Sequence, residues 1–241
     1  MLYDLNSEAL RFENRNEAAS KIIDILPAHQ MCHEGWVLVA ISAEGVPIAE
    51  AVAKKLGLGY DLLLTEAVYA PNNPECQIAM VSETEEIVIH TELVESFGIN
   101  LDFIYGEAHR KYEEKVLKYV YKYRKGDLID SLKDKNVLLV DEGCETGLTV
   151  LTCIKTAIGA GARSVSYATP VIASNVVVGL EAVVDEIFTV FRVANFVDVD
   201  FYYRDHAPLT QEEVKAIIES SSNYLPFQKT GDIRTCSILL K

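Results

Sequence analysis

The sequence predicts an α/β domain with a mainly parallel, twisted sheet that is flanked by helices. Apolar runs at residues 36–41 and 137–140 have the continuous hydrophobic character of strands buried on both faces of a sheet. A helical pattern at residues 46–56, ended by Gly57, follows the first run, and a further apolar run follows at residues 61–65. A strand, a helix and a second strand in this order favour parallel pairing through right-handed crossovers.

The amino-terminal half contains four further elements. Apolar residues recur at helical spacing over residues 8–26, and the proline that follows ends that helix. Two prolines predict a rigid loop at residues 69–75. The apolar runs 78–81 and 87–89 flank a polar turn, which indicates a hairpin. Residues 101–125 carry a helical stripe of tyrosine and aliphatic side chains.

The carboxyl-terminal half of the sequence also alternates between predicted helices and predicted strands. Helices are predicted at residues 148–158, 176–182 and 211–219, strands at 164–170 and 186–191, and an edge strand at 236–240. Thr210 and Glu213 fit a capping box at the start of the last helix. We therefore expect one domain over residues 1–241, with a core at about 30–205 and a carboxyl-terminal helix and tail at about 210–241.

The composition of the chain limits the kinds of partner that the protein can bind. The formal net charge of −14 at pH 7 argues against nucleic-acid binding, because phosphate backbones require a basic surface. The amino terminus lacks a leader pattern, and no apolar run approaches the roughly 20 residues of a membrane span, so we expect a cytoplasmic protein without a membrane partner. The five cysteines are an odd number without a Cys-x-x-Cys pair, which predicts reduced thiols and neither a zinc site nor a disulfide framework.

The most specific pattern begins with the strand at residues 137–140. It continues with Asp141 and Glu142, three variable residues, and then Thr-Gly-Leu-Thr at the start of a helical segment. Backbone N–H groups and the dipole at a helix amino terminus can bind phosphate, while two carboxylates suit ribose hydroxyls or a hydrated Mg²⁺. The spacing alone leaves open an ordinary strand–helix connection or a Mg²⁺ site such as those of response regulators and phosphatases. A Walker A loop and a dinucleotide-binding fold are unsupported, since neither glycine motif is present.

This pattern resembles the phosphoribosyl pyrophosphate (PRPP) binding motif of type I phosphoribosyltransferases, and it meets every position of the family pattern. Residues 11–19, 45–49, 70–75 and 202–205 resemble further motifs of a branch of predicted phosphoribosyltransferases, in the same order. The resemblance extends to about Glu219. It implies the type I phosphoribosyltransferase fold, with a small hood region beside the sheet.

The resemblance implies a transferase of nucleotide metabolism that moves 5-phosphoribose from PRPP to a nitrogenous acceptor. Its partners would be small molecules, PRPP and a base or nucleotide, and a homodimer is compatible with the family. The cofactor would be Mg²⁺, carried by PRPP and water without direct protein ligands. Asp141 and Glu142 would bind the ribose hydroxyls, and they form the catalytic set together with Glu145. Glu145 would lie near a purine-like acceptor as a base, although a solvated loop residue explains it equally well.

The resemblance also assigns the remaining contacts with PRPP to particular residues. The 5′-phosphate and ribose would be held by Asp141, Glu142, Gly143, Cys144, Glu145, Thr146, Gly147, Leu148 and Thr149. The pyrophosphate would meet the turn Ser42, Ala43, Glu44 and Gly45, which in the family often contains a non-proline cis peptide. A mobile basic loop would include Arg110, Lys111 and Lys115 and would close over PRPP.

Two departures from the family pattern introduce carboxylates where cations are usual. The turn at residues 42–45 replaces Pro-Arg-Gly-Gly, and Thr65 and Glu66 replace an Arg-Lys pair. Each reversal opposes a bound polyanion. A second hypothesis is therefore a non-catalytic PRPP- or nucleotide-binding sensor, and a third is a phosphate-monoester or nucleotide binder with other chemistry.

Overall fold

The computed structural model of the chain describes residues 11–129 and 132–228. The strands in this part, numbered in chain order, are β1 Val37–Ala40, β2 Gly59–Leu62, β3 Thr65–Ala70, β4 Asn73–Ser82, β5 Ile87–Ile89, β6 Asn136–Val140, β7 Ser164–Ala173 and β8 Ile187–Val193. Five of them form a sheet in the order β2-β1-β6-β7-β8, and every pairing in it is parallel. The predicted α/β class with a parallel sheet is confirmed.

Helices cover both faces of this sheet. Their bounds are α1 Arg15–Ile25, α2 Ala28–Glu34, α3 Val46–Leu56, α4 Thr91–Ser96, α5 Leu101–Lys111, α6 Leu117–Arg124, α7 Leu148–Gly159, α8 Ser174–Glu181 and α9 Gln211–Ser220. Alternate residues of β1 and β6 enter two separate cores, as the two-residue period of a strand requires. Leu38 and Val140 belong to the core under α1, α3 and α9, while Val39 and Leu139 belong to the core under α7 and α8.

Between β2 and β6 along the chain, a second, antiparallel layer is inserted. Its three strands pair in the order β3-β4-β5, and α4, α5 and α6 follow along the chain. A single π-helical turn, Tyr112–Val116, joins α5 to α6, so the predicted helix over residues 101–125 is continuous but locally widened. This layer forms the smaller second region of the fold.

Most predicted elements lie where the sequence placed them. The helix at 46–56 has the predicted bounds, and the capping box of Thr210 and Glu213 is present at α9. Helix α1 begins only at Arg15, because the Asn14 side chain caps it by accepting hydrogen bonds from the N–H groups of Asn16 and Glu17. The predicted edge strand at 236–240 lies outside the described residues.

Two predictions are wrong in detail, one for a strand and one for a loop. The second parallel strand ends at Leu62 rather than at residue 65, because the chain leaves the parallel sheet there and enters β3. The rigid loop predicted at residues 69–75 is instead the tight turn of the β3–β4 hairpin. Asn72 takes a left-handed conformation with φ of 66° in that turn, which asparagine tolerates better than most residues.

A buried ion pair fastens the inserted layer to the parallel sheet. The Glu83 carboxylate accepts hydrogen bonds from the backbone N–H of Leu64 at 3.0 Å and of Ile129 at 2.9 Å, and it also binds the Arg124 guanidinium. Leu64 precedes the layer and Ile129 follows it, so one carboxylate holds both connections. Glu83 and Arg124 are 0% and 2% exposed at their side chains.

Two further expectations concern cysteines and membranes. Cys76, Cys144 and Cys153 carry free thiols, whereas Cys32 is disulfide-bonded, so the expectation that every cysteine is reduced is wrong for Cys32. Among the helices of the described residues, none combines the length and apolar character needed to span a membrane.

Candidate phosphoribose site

Two loops meet at the carboxyl-terminal edge of the parallel sheet. Strands β1 and β6 are neighbours with Ala40 opposite Val140, so the turn at residues 42–45 and the acidic pair, Asp141 and Glu142, emerge side by side. The Ser42 hydroxyl donates a hydrogen bond of 2.6 Å to Asp141 Oδ1, which joins the two loops directly.

Asp141 occupies a largely apolar environment. Its residue is 8% exposed, and its carboxylate accepts hydrogen bonds from Ser42 and from the backbone N–H of Glu142 at 3.0 Å. Burial raises the pKa of Asp141 to about 7, and the nearby charges of Glu142 and Glu44 raise it as well, although the hydrogen bond from Ser42 lowers it. The environment of Asp141 thus favours the protonated carboxyl until a cation or hydrogen-bond donor approaches.

Glu142 has the opposite environment, because two basic side chains contact its carboxylate. Arg15 Nε and His206 Nε2 each lie 2.8 Å from Glu142 Oε2. The other ring nitrogen of His206 lies 2.6 Å from Asp200 Oδ1, and Arg15 Nη1 donates to the carbonyl of Ala207 at 2.9 Å. This Arg15–His206 clamp comes from the start of α1 and from the segment after β8, and the sequence analysis did not identify it.

The clamp is built by two of the motifs that carry the family resemblance. The Phe12 N–H donates to the Tyr202 carbonyl at 2.8 Å, and the Arg204 N–H donates back to the Phe12 carbonyl at 2.9 Å. The Tyr203 hydroxyl then donates to the Glu142 carbonyl at 2.7 Å. Residues 11–19 and 202–205 therefore lie together beside the acidic pair. The presence of both motifs in the sequence was the one indication from which the clamp could have been predicted.

The phosphate loop, residues 143–149, leads into α7. Cys144 pairs with the end of β7, donating its N–H to Val171 and accepting the N–H of Ala173, both at 2.9 Å. Gly147 is the N-cap of α7 with φ of 78°, and no side chain of the described residues caps this helix. A Cβ on Gly147 would lie 2.7 Å from Val176, so only glycine fits this close approach. The first N–H groups of α7 therefore remain available to a bound anion.

Glu145 and Thr146 are exposed members of the phosphate loop. They line the Glu145 cavity, a polar space of about 540 Å³ whose wall also includes His90, Asn175, Asn195 and Phe196. The remaining predicted loop members, Gly143 and Leu148, are packed into the protein, and a Cβ on Gly143 would meet Val199 at 2.8 Å. Glu145 is thus separated from the buried acidic pair and faces a different space.

The turn at residues 42–45 borders a second space, the tyrosine cavity. Its volume is about 400 Å³, and its wall includes Glu44, Leu63, Tyr119, Tyr123, Thr149 and Val214. Within the turn, the Gly45 N–H donates to the Ser42 hydroxyl at 2.9 Å, and α3 begins at the next residue. The cis peptide that the family resemblance implied is not found, since the peptide bonds of the described residues are all trans.

The basic segment, to which the resemblance assigns a mobile loop, is helical in the structure. Arg110 and Lys111 lie in α5 and Lys115 lies in the π-helical turn. Arg110 pairs with Glu107 and Glu114 at 2.6 Å each, while Lys115 and Lys111 approach Glu66 at 2.8 and 3.6 Å. These cations are therefore neutralised by carboxylates of the protein, and Glu66 of β3 is among them.

The oxygen donors at the site suit a hydrated metal ion better than a tightly held one. Among the described residues there is no group of three or more His, Cys, Asp or Glu side chains that could hold a metal. Asp141 and Glu142 are hard oxygen donors, but one is hydrogen-bonded to Ser42 and the other is held by the clamp. The pair can contact the water shell of a Mg²⁺ that arrives with a ligand.

Known proteins share this sequence pattern and this fold. Two Mycobacterium tuberculosis proteins, from strains CDC 1551 / Oshkosh and H37Rv, bear the provisional names phosphoribosyl transferase MT0597 and Rv0571c. Each is 26% identical to the chain over 223 residues, which are 92% of this chain and 49% of the relative. The chain thus spans about half the length of these relatives. The crystal structure of TT1426 from Thermus thermophilus matches with a TM-score of 0.71 and 27% identity, covering 86% of this chain and 97% of that one.

A family model also matches most of the chain. The model described as the phosphoribosyl transferase domain matches residues 5–203, which include the turn at 42–45, the acidic pair, the phosphate loop and the motif at 202–203. The chain belongs to the phosphoribosyl transferase domain family.

Proposed function

We propose that the protein transfers 5-phosphoribose from PRPP to a nitrogenous acceptor in a Mg²⁺-dependent reaction. The observation that carries the proposal is the uncapped amino terminus of α7, which follows the acidic pair within one short loop. A phosphate at this helix start would meet free N–H groups and the positive end of the helix dipole. The ribose of the same ligand would then lie within reach of the carboxylates at the end of β6.

Each loop has a part in this proposal. The backbone of residues 143–149 and the hydroxyls of Thr146 and Thr149 bind the 5′-phosphate, while Asp141 and Glu142 accept hydrogen bonds from the ribose hydroxyls. The turn at residues 42–45 orients the pyrophosphate through its backbone. A Mg²⁺ bound with PRPP would neutralise the charge of the leaving group. The protein contributes alignment and electrostatic stabilisation, because positive charge develops at the ribose carbon when its bond to pyrophosphate weakens.

The Glu145 cavity is the space we propose for the acceptor. Glu145 supplies a carboxylate, Asn175 and Asn195 supply amide donors and acceptors, and Phe196 supplies an aromatic face. These groups suit a flat, nitrogen-rich ring such as a purine-like base. In this role Glu145 accepts a proton from a ring nitrogen as that nitrogen attacks the ribose.

A second candidate function is a non-catalytic sensor that binds PRPP or a nucleotide. Glu44 favours it, because this carboxylate borders the space beside the turn that the resemblance gives to pyrophosphate. A sensor would keep the phosphate loop and lose productive contacts with the leaving group. The cytoplasmic location and the homodimer remain predictions from the sequence and the resemblance.

Pyrophosphate release separates the two candidates. The protein is incubated with PRPP and Mg²⁺ against a panel of purine, pyrimidine and other nitrogenous acceptors, with Asp141→Asn/Glu142→Gln as the inactive control. We expect acceptor-dependent release of pyrophosphate that the double variant lowers by about 100-fold or more, since an oriented contact to a developing charge is worth several kcal/mol. If no acceptor of the panel supports pyrophosphate release and the protein still binds a 5′-mononucleotide, the transferase proposal is rejected and the sensor proposal is supported.

A further inference from the structure

The tyrosine cavity is a ligand-sized space that the proposed transfer does not require for ribose or for the 5′-phosphate. It lies between the turn at residues 42–45, the ends of β1 and β2, and the facing sides of α6 and α9. Its volume of about 400 Å³ falls within the range of small-molecule sites. Thr149 belongs both to its wall and to the phosphate loop, so the cavity adjoins the phosphoribose site.

The charge of the wall is negative. Glu44 is the one residue charged at neutral pH among the described residues that line the cavity. Within residues 11–129 and 132–228, Glu44 takes part in no ion pair. Burial and then the neighbouring Tyr119 raise the pKa of Tyr123 to about 12, and the charges of Glu212 and Glu44 contribute to this rise.

The nearby lysines pair with other polar groups, although Lys122 Nζ also lies 5.9 Å from the centroid of the Tyr123 ring. Lys122 Nζ donates to Gln211 Oε1 at 2.7 Å and approaches Glu212 at 3.3 Å. Lys115 and Lys111 are turned toward Glu66. An anion in the cavity would therefore meet an uncompensated carboxylate in a partly desolvated space, which is costly at short range.

The remaining wall is aromatic and aliphatic. Tyr119 and Tyr123 stack with ring centroids 6.3 Å apart and an angle of 24° between their planes. Leu63 and Val214 add apolar surface, and hydroxyls come from Ser42 and Thr149. The faces of tyrosine rings carry negative electrostatic potential and attract cations, most strongly where water is excluded.

We propose that the tyrosine cavity binds a small organic cation, an ammonium or amidinium group on a compact apolar or aromatic body. Glu44 pairs with the positive charge, the two tyrosine rings contact the body of the ligand, and the aliphatic side chains exclude water. The proposal does not depend on phosphoribosyl transfer, because the chain alone forms this wall.

Benzamidine tests the proposal against matched uncharged and anionic probes. Benzamide has nearly the same shape without the charge, and benzoate reverses the charge. We expect calorimetry to show benzamidine binding about tenfold more tightly than benzamide, with benzoate failing to displace it. The Glu44→Gln variant should abolish the preference for benzamidine over benzamide. Glu75→Gln, which removes an exposed carboxylate from the β3–β4 hairpin, should leave it unchanged.

A second variant keeps the proposal testable if Glu44→Gln does not fold. Tyr119→Leu keeps apolar bulk at a half-buried position and should weaken benzamidine about threefold more than benzamide, through loss of one ring face. Circular dichroism verifies that each variant is folded. Equal affinities for benzamidine and benzamide in the native protein, or displacement of benzamidine by benzoate, would overturn the proposal.

Discussion

Two adjacent carboxylates at this site have opposite environments. Asp141 is buried with a serine hydroxyl as its main partner, whereas Glu142 is held between an arginine and a histidine. Neighbouring acidic groups whose surroundings differ in this way are suited to different tasks. Asp141 can respond to a ligand by losing its proton, while Glu142 is positioned by Arg15 and His206, both of which contact its Oε2.

The raised pKa of Asp141 predicts a pH-dependent stability. Burial raises the pKa of this carboxyl to about 7 in the folded protein, from an ordinary value of 3.8. Between these values the folded state keeps a proton that the unfolded chain has lost, so the free energy of unfolding falls as the pH rises from about 4 to about 7. At about 1.4 kcal/mol per pKa unit, this loss amounts to roughly 4 kcal/mol.

Asp141→Asn checks this prediction. Asparagine keeps an acceptor for the Ser42 hydroxyl and carries no charge, so the variant should lose the slope and be more stable than the native protein at pH 8. Urea unfolding at pH 5 and pH 8 measures the difference, with the exposed Asp24→Asn as a control that keeps the native slope. Parallel stability curves for native protein and Asp141→Asn would show that Asp141 titrates normally.

The sequence predicted some site residues and could not predict others. Asp141, Glu142 and the phosphate loop follow one strand in an uninterrupted motif, so local pattern was sufficient to bring them together. Arg15 and His206 lie 127 and 64 residues from Glu142 along the chain, and only the folded sheet brings them to its carboxylate. The ion pair of Lys115 could not be predicted in this way either, because Glu66 lies 49 residues away along the chain and reaches Lys115 only in the folded protein.

At the scale of elements, the site depends on two helices that begin where adjacent strands end. Helix α3 follows β1 and α7 follows β6, and both helices start without a side-chain cap. The bounds of α3 were predictable because Pro47 and Gly57 mark its two ends. The β3–β4 hairpin was not predictable in the same way, since Pro71 and Pro74 indicate a loop and the strand pairing contains register shifts nearby.

The connection between the two layers depends on Glu83. Glu83→Gln would leave the Arg124 guanidinium buried without its counter-charge, and Arg124 Nε and Nη1 already lack hydrogen-bond partners within the described residues. We expect the free energy of unfolding to fall by about 3–5 kcal/mol. Chemical denaturation measures the change, and Glu83→Gln/Arg124→Met should recover part of the loss because no unpaired charge remains.

Glu86→Gln is the matched control for Glu83. Glu86 lies in the same polar turn, but its pair with Lys155 is at the surface, at 2.7 Å. Its replacement should cost less than about 1 kcal/mol. Similar losses for Glu83→Gln and Glu86→Gln would mean that the buried pair does not hold the inserted layer.

The whole molecule combines a family-typical phosphate loop with unusual electrostatics around it. The net charge is −14, Glu44 is the one charged residue among the described residues that line the tyrosine cavity, and several basic side chains near the site pair with the protein's own carboxylates. The positive field for a phosphate must therefore come largely from the backbone of the phosphate loop and the start of α7. This local source makes the phosphoribose site the central claim about the molecule.

Calorimetric titration with Mg²⁺–PRPP, a 5′-mononucleotide and the matching nucleoside tests that claim most directly. We predict that the two phosphorylated ligands bind to one site, and that the nucleoside binds at least about tenfold more weakly because it lacks the group that meets α7. Asp141→Asn/Glu142→Gln should weaken both phosphorylated ligands by removing the ribose contacts. Equal binding of nucleotide and nucleoside, or no binding of any of the three, would contradict a phosphoribose site at this edge of the sheet.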